Sequence, residues 1–143
     1  MRNSELIVHI NNLYALFERL SKGKEKLPVK LNYAIIKTLK NLRSEYEIYD
    51  EARMKLLDVY NVKDENGEPM YKKVSTNTEI AEEFIADWTK EINELLNMDI
   101  VVDIYYVDLS VIEDNELSIE DVAAFEFLLR EPVITAIPEG VKA

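Results

Sequence analysis

The strongest chemical signal in the sequence is a run of basic residues near its start. Seven lysine or arginine side chains fall within 22 residues, with Glu25 as the one acidic residue among them. Pro28 suits the first turn of a helix, where free N–H groups and the helix dipole also attract anions. This basic patch could bind a phosphate-bearing ligand or an acidic partner, or it could face the acidic half of its own or another copy. Its members are Lys22, Lys24, Lys26, Lys30, Lys37, Lys40 and Arg43.

Residues that could carry catalysis are scarce. His9 is the one histidine, and its neighbours are apolar, so no local nucleophile or carboxylate makes it a general base. The chain has no cysteine, which excludes a thiolate nucleophile. Its 3 glycines are too scattered to build a phosphate-binding loop. We therefore expect no catalytic residue and no enzymatic activity.

Carboxylates are the other groups that could do chemistry, because their oxygens suit Mg²⁺ or Ca²⁺. They cluster late in the chain, but no Asp-x-Asp or His-x-x-Glu spacing occurs. In the run from Asp64 to Gly67 the glycine is fourth, whereas a calcium loop needs it sixth. We expect neither a metal site nor a cofactor. The late carboxylates are Asp99, Asp103, Asp108, Glu113, Asp114 and Glu116.

Charge is unevenly distributed along the chain. Residues 1–60 carry 11 basic and 8 acidic side chains, a net of +3, and residues 61–143 carry 6 and 20, a net of −14. The acidic half repels phosphate backbones at long range, so nucleic acid is not expected as a partner.

The 143 residues fit one domain, over 1–143. The absence of cysteine is compatible with a reducing compartment, and no apolar run approaches the roughly 20 residues that span a bilayer. The first five residues lack the pattern of a signal peptide. We expect a cytoplasmic protein that does not enter a membrane.

The basic patch must be positioned by the elements around it, beginning with the N-terminal segment. Residues 6–10 alternate and are rich in β-branched side chains, which predicts a short strand followed by a short helix that Gly23 ends. One continuous helix over 4–22 is the alternative.

A long helix is predicted over 28–60, and it carries a heptad seam. At about 48 Å it is too long for one small core to cover, so it needs a partner helix or a second chain, and a homodimer through this helix is one expectation. Arg53 is the charged member of the seam, and Glu82, Glu83 or a copy of Asp50 could neutralise it. Together with Tyr46 and Tyr49 it is a candidate for fixing register or oligomeric state. The seam consists of Ile35, Leu39, Leu42, Tyr46, Tyr49, Arg53, Leu56 and Tyr60.

Beyond the long helix, Asn66-Gly67 predicts a tight turn or hairpin within 61–74. The capping-box spacing of Thr76 and Glu79 predicts a second helix over 76–97, packed antiparallel on the first with Trp88 buried near the middle.

The last third of the chain is predicted to contain a strand near 99–107 and a C-terminal helix over 118–130, and the strand could pair with 5–10. The tail 133–143 matches no regular element and is expected to be flexible. The predicted fold is therefore mainly α (α+β): a long antiparallel helical hairpin, a short N-terminal helix, a small sheet and a short C-terminal helix.

Several segments carry a resemblance to known proteins. Residues 26–34, 39–42, 49–57 and 63–69, with Leu117-Ser118 and the helix at 125–128, resemble small, uncharacterised proteins of tailed bacteriophages and prophages. The likeness covers most of residues 5–130 and brings no catalytic residues with it. It implies a phage or prophage protein that works through contacts in the host cytoplasm.

Three functions follow as hypotheses. The first is a non-enzymatic protein that contacts another protein, such as an inhibitor of a host enzyme or defence system. The second is an assembly or chaperone role for the tail or head of the virion. The third is a sponge that binds a small anionic nucleotide at the basic patch.

Overall fold

The computed structural model describes residues 1–23, 26–113 and 117–130. The fold is mainly helical with one small sheet, as predicted. None of the described helices is long and apolar enough to cross a membrane. The elements are α1 (Asn3–Gly23), α2 (Val29–Tyr60), α3 (Ile85–Leu96), β1 (Val107–Asp108), α4 (Ile119–Phe125) and β2 (Leu129–Arg130).

The chain forms two compact units. Unit 1 comprises Met1–Val8 and Leu42–Val102, and unit 2 comprises His9–Asn41 and Asp103–Ala143. Both α1 and α2 contribute residues to each unit. The expectation of a single domain over 1–143 stays a prediction.

The N-terminal segment is helical, so the predicted strand over 5–10 is wrong and the continuous helix is correct. The Glu5 carboxylate accepts a 2.8 Å hydrogen bond from the Arg2 N–H, and this bond lowers the pKa of Glu5. Helical spacing outweighs the β-branched composition, because it places one apolar row on one side of α1. That buried row is Leu6, Ile10, Leu13, Leu16 and Leu20.

The long helix α2 has nearly the predicted bounds. The predicted seam is buried at Ile35, Leu39, Leu42 and Tyr49. Later seam positions are half-buried, and the fully covered residue near the end of α2 is Leu57 instead of Leu56. The burial therefore drifts off the strict heptad toward the end of α2, as expected for a straight helix with 3.6 residues per turn.

The predicted turn at Asn66-Gly67 is present. Gly67 adopts φ of 80°, a left-handed conformation that glycine adopts without steric strain. Asp64 holds the turn, because its carboxylate accepts hydrogen bonds from the N–H groups of Asn66 at 2.8 Å and Glu68 at 2.9 Å. Lys63 and Pro69 form a single antiparallel bridge. The pairing on either side of the turn is therefore short, as expected where a proline removes a backbone donor.

Asn61 is the polar centre of the connection that leaves α2. Its side chain is fully buried and donates to the carbonyls of Glu79 at 2.7 Å and Asn77 at 3.3 Å. Its carbonyl oxygen accepts from the Tyr71 N–H at 2.8 Å. One amide therefore joins three parts of the connection, and an isolated bridge between Asn61 and Ile80 lies beside it.

The second helix is shorter than predicted. A 3-10 turn at Glu82–Phe84 leads into α3, so residues 76–81 are not helical and the capping box at Thr76 is wrong. The reason is a competing set of hydrogen bonds. The Asn61 amide and the Val62 N–H both bond the Glu79 carbonyl, which holds this stretch extended against the end of α2.

The small sheet also differs from the prediction. Val107–Asp108 pairs in parallel with Leu129–Arg130, not with residues 5–10. Residues 100–106 form no regular strand, because side chains of α2 bond their backbone instead: Thr38 Oγ1 accepts from the Tyr105 N–H at 2.9 Å. At the other end, Ile100 bonds Met1.

The C-terminal helix begins as predicted. The Ser118 hydroxyl accepts a 3.1 Å hydrogen bond from the Asp121 N–H, which caps α4. Helical structure ends at Leu128 rather than 130, because Leu129–Arg130 is the strand β2. The tail 133–143 lies outside the described residues.

Replacing Asn61 by alanine should destabilise the protein by about 3 kcal/mol, because two carbonyl acceptors and one N–H donor lose their hydrogen bonds to a buried amide. Urea denaturation measures the change. The matched control is Asn12→Ala, which removes an exposed amide from α1 and should change stability by less than about 0.5 kcal/mol. A cost for Asn61→Ala as small as that of the control would contradict the role of the amide.

Candidate functional site

Helix α3 is more amphipathic than α1 or α2, yet it buries no residue completely. Because α-helical residues are about 100° apart, its apolar side chains fall in one stripe roughly 100° wide. Ile85 is 51% exposed, and Trp88, Ile92, Leu95 and Leu96 are half-buried. The expectation of a buried Trp88 is therefore wrong. We call this stripe, with the acidic side chains of residues 82–96, the α3 surface.

Two contacts within unit 1 anchor the α3 surface. The Tyr60 ring packs against Phe84 at 5.5 Å between centroids, and its hydroxyl donates to Glu91. That hydrogen bond raises the pKa of Tyr60 to about 12. Near the end of α3, the Asn3 amide donates to the Leu95 carbonyl at 2.8 Å. These contacts fix the helix and leave its apolar stripe half-buried, with Ile85 exposed.

The α3 surface is strongly acidic. Residues 82–96 hold five carboxylates and one ammonium group, that of Lys90. Among the residues that the structure describes, none of these six lies within 4.0 Å of an opposite charge. The carboxylates belong to Glu82, Glu83, Asp87, Glu91 and Glu94.

Unit 1 has a small core, which explains why no residue of its helix α3 is fully buried. Unit 1 buries four apolar side chains and unit 2 buries twelve, counted over the described residues without Pro69. Four residues cannot cover the apolar stripes of both α2 and α3. Those of unit 1 are Leu6, Leu42, Tyr49 and Leu57.

The predicted seam cluster lies in unit 1, on α2. Tyr46 is half-buried and packs against Tyr49 at 5.7 Å between ring centroids. Arg53 pairs with Asp50 of the same helix at 2.8 Å, so pairing with Glu82 or Glu83 is wrong. Burial raises the pKa of Tyr49, and Arg53 partly offsets that shift. The homodimer through α2 stays a prediction.

The basic patch is divided by the fold. Lys22 pairs with Glu18 of α1 at 3.1 Å. Lys24 lies outside the described residues, Arg43 belongs to unit 1, and Lys40 is an exposed residue of α2.

The remaining lysines of the patch belong to unit 2, where Lys26 lines one surface pocket and Lys30 lines another. Lys37 lies over two of the rings of the second pocket. The structure therefore groups Lys30 with Lys37 and places Lys22 elsewhere.

Lys30 and Lys37 adjoin a group of aromatic residues that the sequence did not single out. The rings of Tyr33 and Tyr105 meet edge to face at 5.5 Å, and Lys37 Nζ lies 5.5 Å and 5.4 Å from their centroids. Beside them, the Arg130 guanidinium stacks on Tyr106 at 3.4 Å. In the sequence, two adjacent tyrosines at 105 and 106 within an apolar segment were the signal that could have indicated this aromatic group. We call this pocket of ≈ 590 Å³ the tyrosine cavity.

Groups with catalytic potential do not converge in the described ranges. His9 is helical and stacks on Phe127 at 3.9 Å. No three His, Asp or Glu side chains among the described residues are placed to hold a metal ion, and Asp114 and Glu116 lie outside those residues.

Comparison with models of protein families, with curated proteins and with solved structures finds no match to this chain. The resemblance to small phage proteins therefore stays a prediction.

Replacing Arg53 by leucine should stabilise the protein by roughly 0.5–1 kcal/mol. The intrahelical pair with Asp50 is partly exposed and contributes about 0.3–0.5 kcal/mol, less than the gain from an apolar side chain at a half-buried seam position. Thermal and urea unfolding measure the difference. Lys55→Leu removes a comparable but fully solvated pair on the same helix and should be near neutral. A loss of stability specific to Arg53→Leu would contradict the prediction.

Proposed function

We propose that this protein acts without catalysis of its own, by binding another protein, and that the α3 surface is the docking site. The observation that carries the proposal is an amphipathic helix that buries none of its residues completely: Ile85 is exposed, and the rest of the apolar stripe, including Trp88, is half-buried. A surface stripe of this kind is typical of protein–protein contact sites. Trp88, at its centre, has the residue type most often found at the energetic centre of an interface.

The charge of the α3 surface specifies the chemistry of the partner. Five carboxylates without ion pairs among the described residues favour a partner with lysine or arginine side chains. A second copy presenting the same surface would place carboxylates opposite carboxylates, which is unfavourable. The occupant is therefore a different protein with a basic face.

The dimensions of the surface suit a helix or a shallow groove. Twelve residues of α3 extend about 18 Å. A stable interface needs about 800 Å² on each partner, so the contact must extend beyond α3. Met98 and Val101, which follow α3 in unit 1, are 54% and 89% exposed and provide additional apolar area.

The resemblance to phage proteins supports a partner in the cytoplasm of a bacterial host. A host enzyme or defence protein with a basic groove for nucleic acid would fit an acidic surface of this kind, which occupies such a groove by charge mimicry. A tail or head protein awaiting assembly is the alternative partner. The identity of the captured protein distinguishes the two.

The partner can be identified by photo-crosslinking in bacterial cells, with benzoylphenylalanine at Ala86 of α3 or at Ile48 of α2. Both positions are exposed and lie in unit 1. We expect one basic protein to crosslink from position 86 and not from position 48. Crosslinking of that protein from both positions alike, or capture of an acidic protein, would contradict the proposal.

Trp88 then reports on binding, because it is the one tryptophan of the chain. Adding the purified partner should shift its emission to shorter wavelength as the indole loses water. Glu94→Lys should weaken binding at least tenfold, or about 1.4 kcal/mol, and raised salt should weaken binding as well.

Glu47→Lys is the matched control, since it makes the same change of charge at an exposed site on α2. An equal effect of the two reversals would show that only the overall charge matters and would contradict docking at α3.

A further inference from the structure

The tyrosine cavity of unit 2 is a second site of different chemistry. Its volume of ≈ 590 Å³ lies within the range of sites that hold small molecules, roughly 300–1,000 Å³. The residues of interest in its lining are Lys30, Tyr33, Tyr105, Tyr106, Asp108 and Ser110.

Aromatic surface is the first property of the cavity that selects a ligand. Tyr33, Tyr105 and Tyr106 are 53%, 43% and 41% exposed, which is unusual for three neighbouring rings that could have been buried. Contacts among themselves and with cations hold them in place: Tyr33 lies edge to face with Tyr105, and Arg130 stacks on Tyr106. Held rings of this kind provide stacking surface for a planar ligand at little entropic cost.

Positive charge is the second property. Lys30 lines the cavity, and Lys37 Nζ lies within 5.5 Å of the centroids of Tyr33 and Tyr105. Neither ammonium group has a carboxylate within 4.0 Å in the part of the chain that the structure describes. Both are therefore available to a ligand anion, and they lie beside the rings that would stack on its planar part.

A carboxylate is the third property of the cavity. Asp108 lines it and repels any anionic group placed beside it, so the phosphate of a ligand lies toward the lysines. The same carboxylate accepts hydrogen bonds, which the ribose hydroxyls and the amino groups of a nucleoside can donate. Ring faces, ammonium groups and one acceptor together match a ligand with a flat base, a sugar and a phosphate.

We infer that the tyrosine cavity binds a nucleoside phosphate, with its base on the tyrosine rings, its phosphate toward Lys30 and Lys37, and its hydroxyl or amino groups on Asp108. Every residue of this site belongs to unit 2, so the inference does not depend on the proposed function of the α3 surface.

Isothermal titration calorimetry with GMP, AMP and UMP tests the inference on the full-length protein. At least one nucleotide should bind with one site per chain, and inorganic phosphate alone should bind at least tenfold more weakly because it cannot stack. Tyr33→Leu should lower the affinity by roughly 5- to 100-fold, the range for loss of one base–aromatic contact. Lys30→Gln should lower the affinity and reduce its salt dependence.

Two matched control variants distinguish loss of the cavity's own contacts from general effects of removing a ring or a charge. Tyr14→Leu removes a similarly exposed ring from α1 in unit 2, and Lys26→Gln removes an ammonium group from the neighbouring pocket. Both should leave binding unchanged. Asp108→Asn should weaken nucleotide binding but not phosphate binding. Absence of nucleotide binding, equal losses in the controls, or tighter binding of a poly-glutamate peptide than of any nucleotide would overturn the inference.

Discussion

The buried amide of Asn61 determines how unit 1 is built. It joins the end of α2 to the carbonyls of Asn77 and Glu79 and to the N–H of Tyr71, so the chain after α2 is held extended where its sequence favours helix. Helix α3 consequently starts at Ile85 and has 12 residues. A helix of that length, fixed at Tyr60 and Asn3, has an apolar stripe that unit 1 buries only in part, with Ile85 exposed. The exposed α3 surface is thus a consequence of one satisfied polar group.

The two units differ in how completely they bury their apolar residues. Unit 2 draws buried side chains from α1, from α2 and from the C-terminal elements, and Phe125 and Leu128 are fully buried there. Unit 1 lacks a comparable third contributor. Since burial of apolar area is the main favourable term in folding, unit 1 has more to gain from a partner than unit 2. The half-buried stripe belongs to the unit that buries fewer apolar residues, and the pocket with aromatic walls belongs to the unit that buries more.

The sequence predicted the helices that follow from periodicity and failed where a specific contact competes with it. The bounds of α2, the turn at Gly67 and the cap at Ser118 depend on residues close in sequence, and all were predictable. The strand over 5–10 was inferred from β-branched composition alone, and the burial of Leu6 and Ile10 on one helical row overrides that preference. The extended segment before α3 could not be predicted, because nothing local reveals that Asn61 bonds residues 16 and 18 positions away.

The charge of the candidate sites could be predicted from the sequence, but the residues that come together to form them could not. The uneven charge along the chain pointed to separate acidic and basic surfaces, and helix α3 carries carboxylates that form no ion pair among the described residues. The residues of the basic patch do not form one surface. Lys22 forms an ion pair with Glu18 on α1, whereas Lys30 and Lys37 lie beside tyrosines, one of them from a distant segment of the chain. Tyr105 lies 72 positions after Tyr33. The hydrogen bond from its backbone to Thr38, five residues after Tyr33 on α2, brings the two rings together. A basic run in the sequence therefore acquires selectivity only when folding places aromatic rings beside it, because charge alone attracts any anion whereas a ring face discriminates among anions.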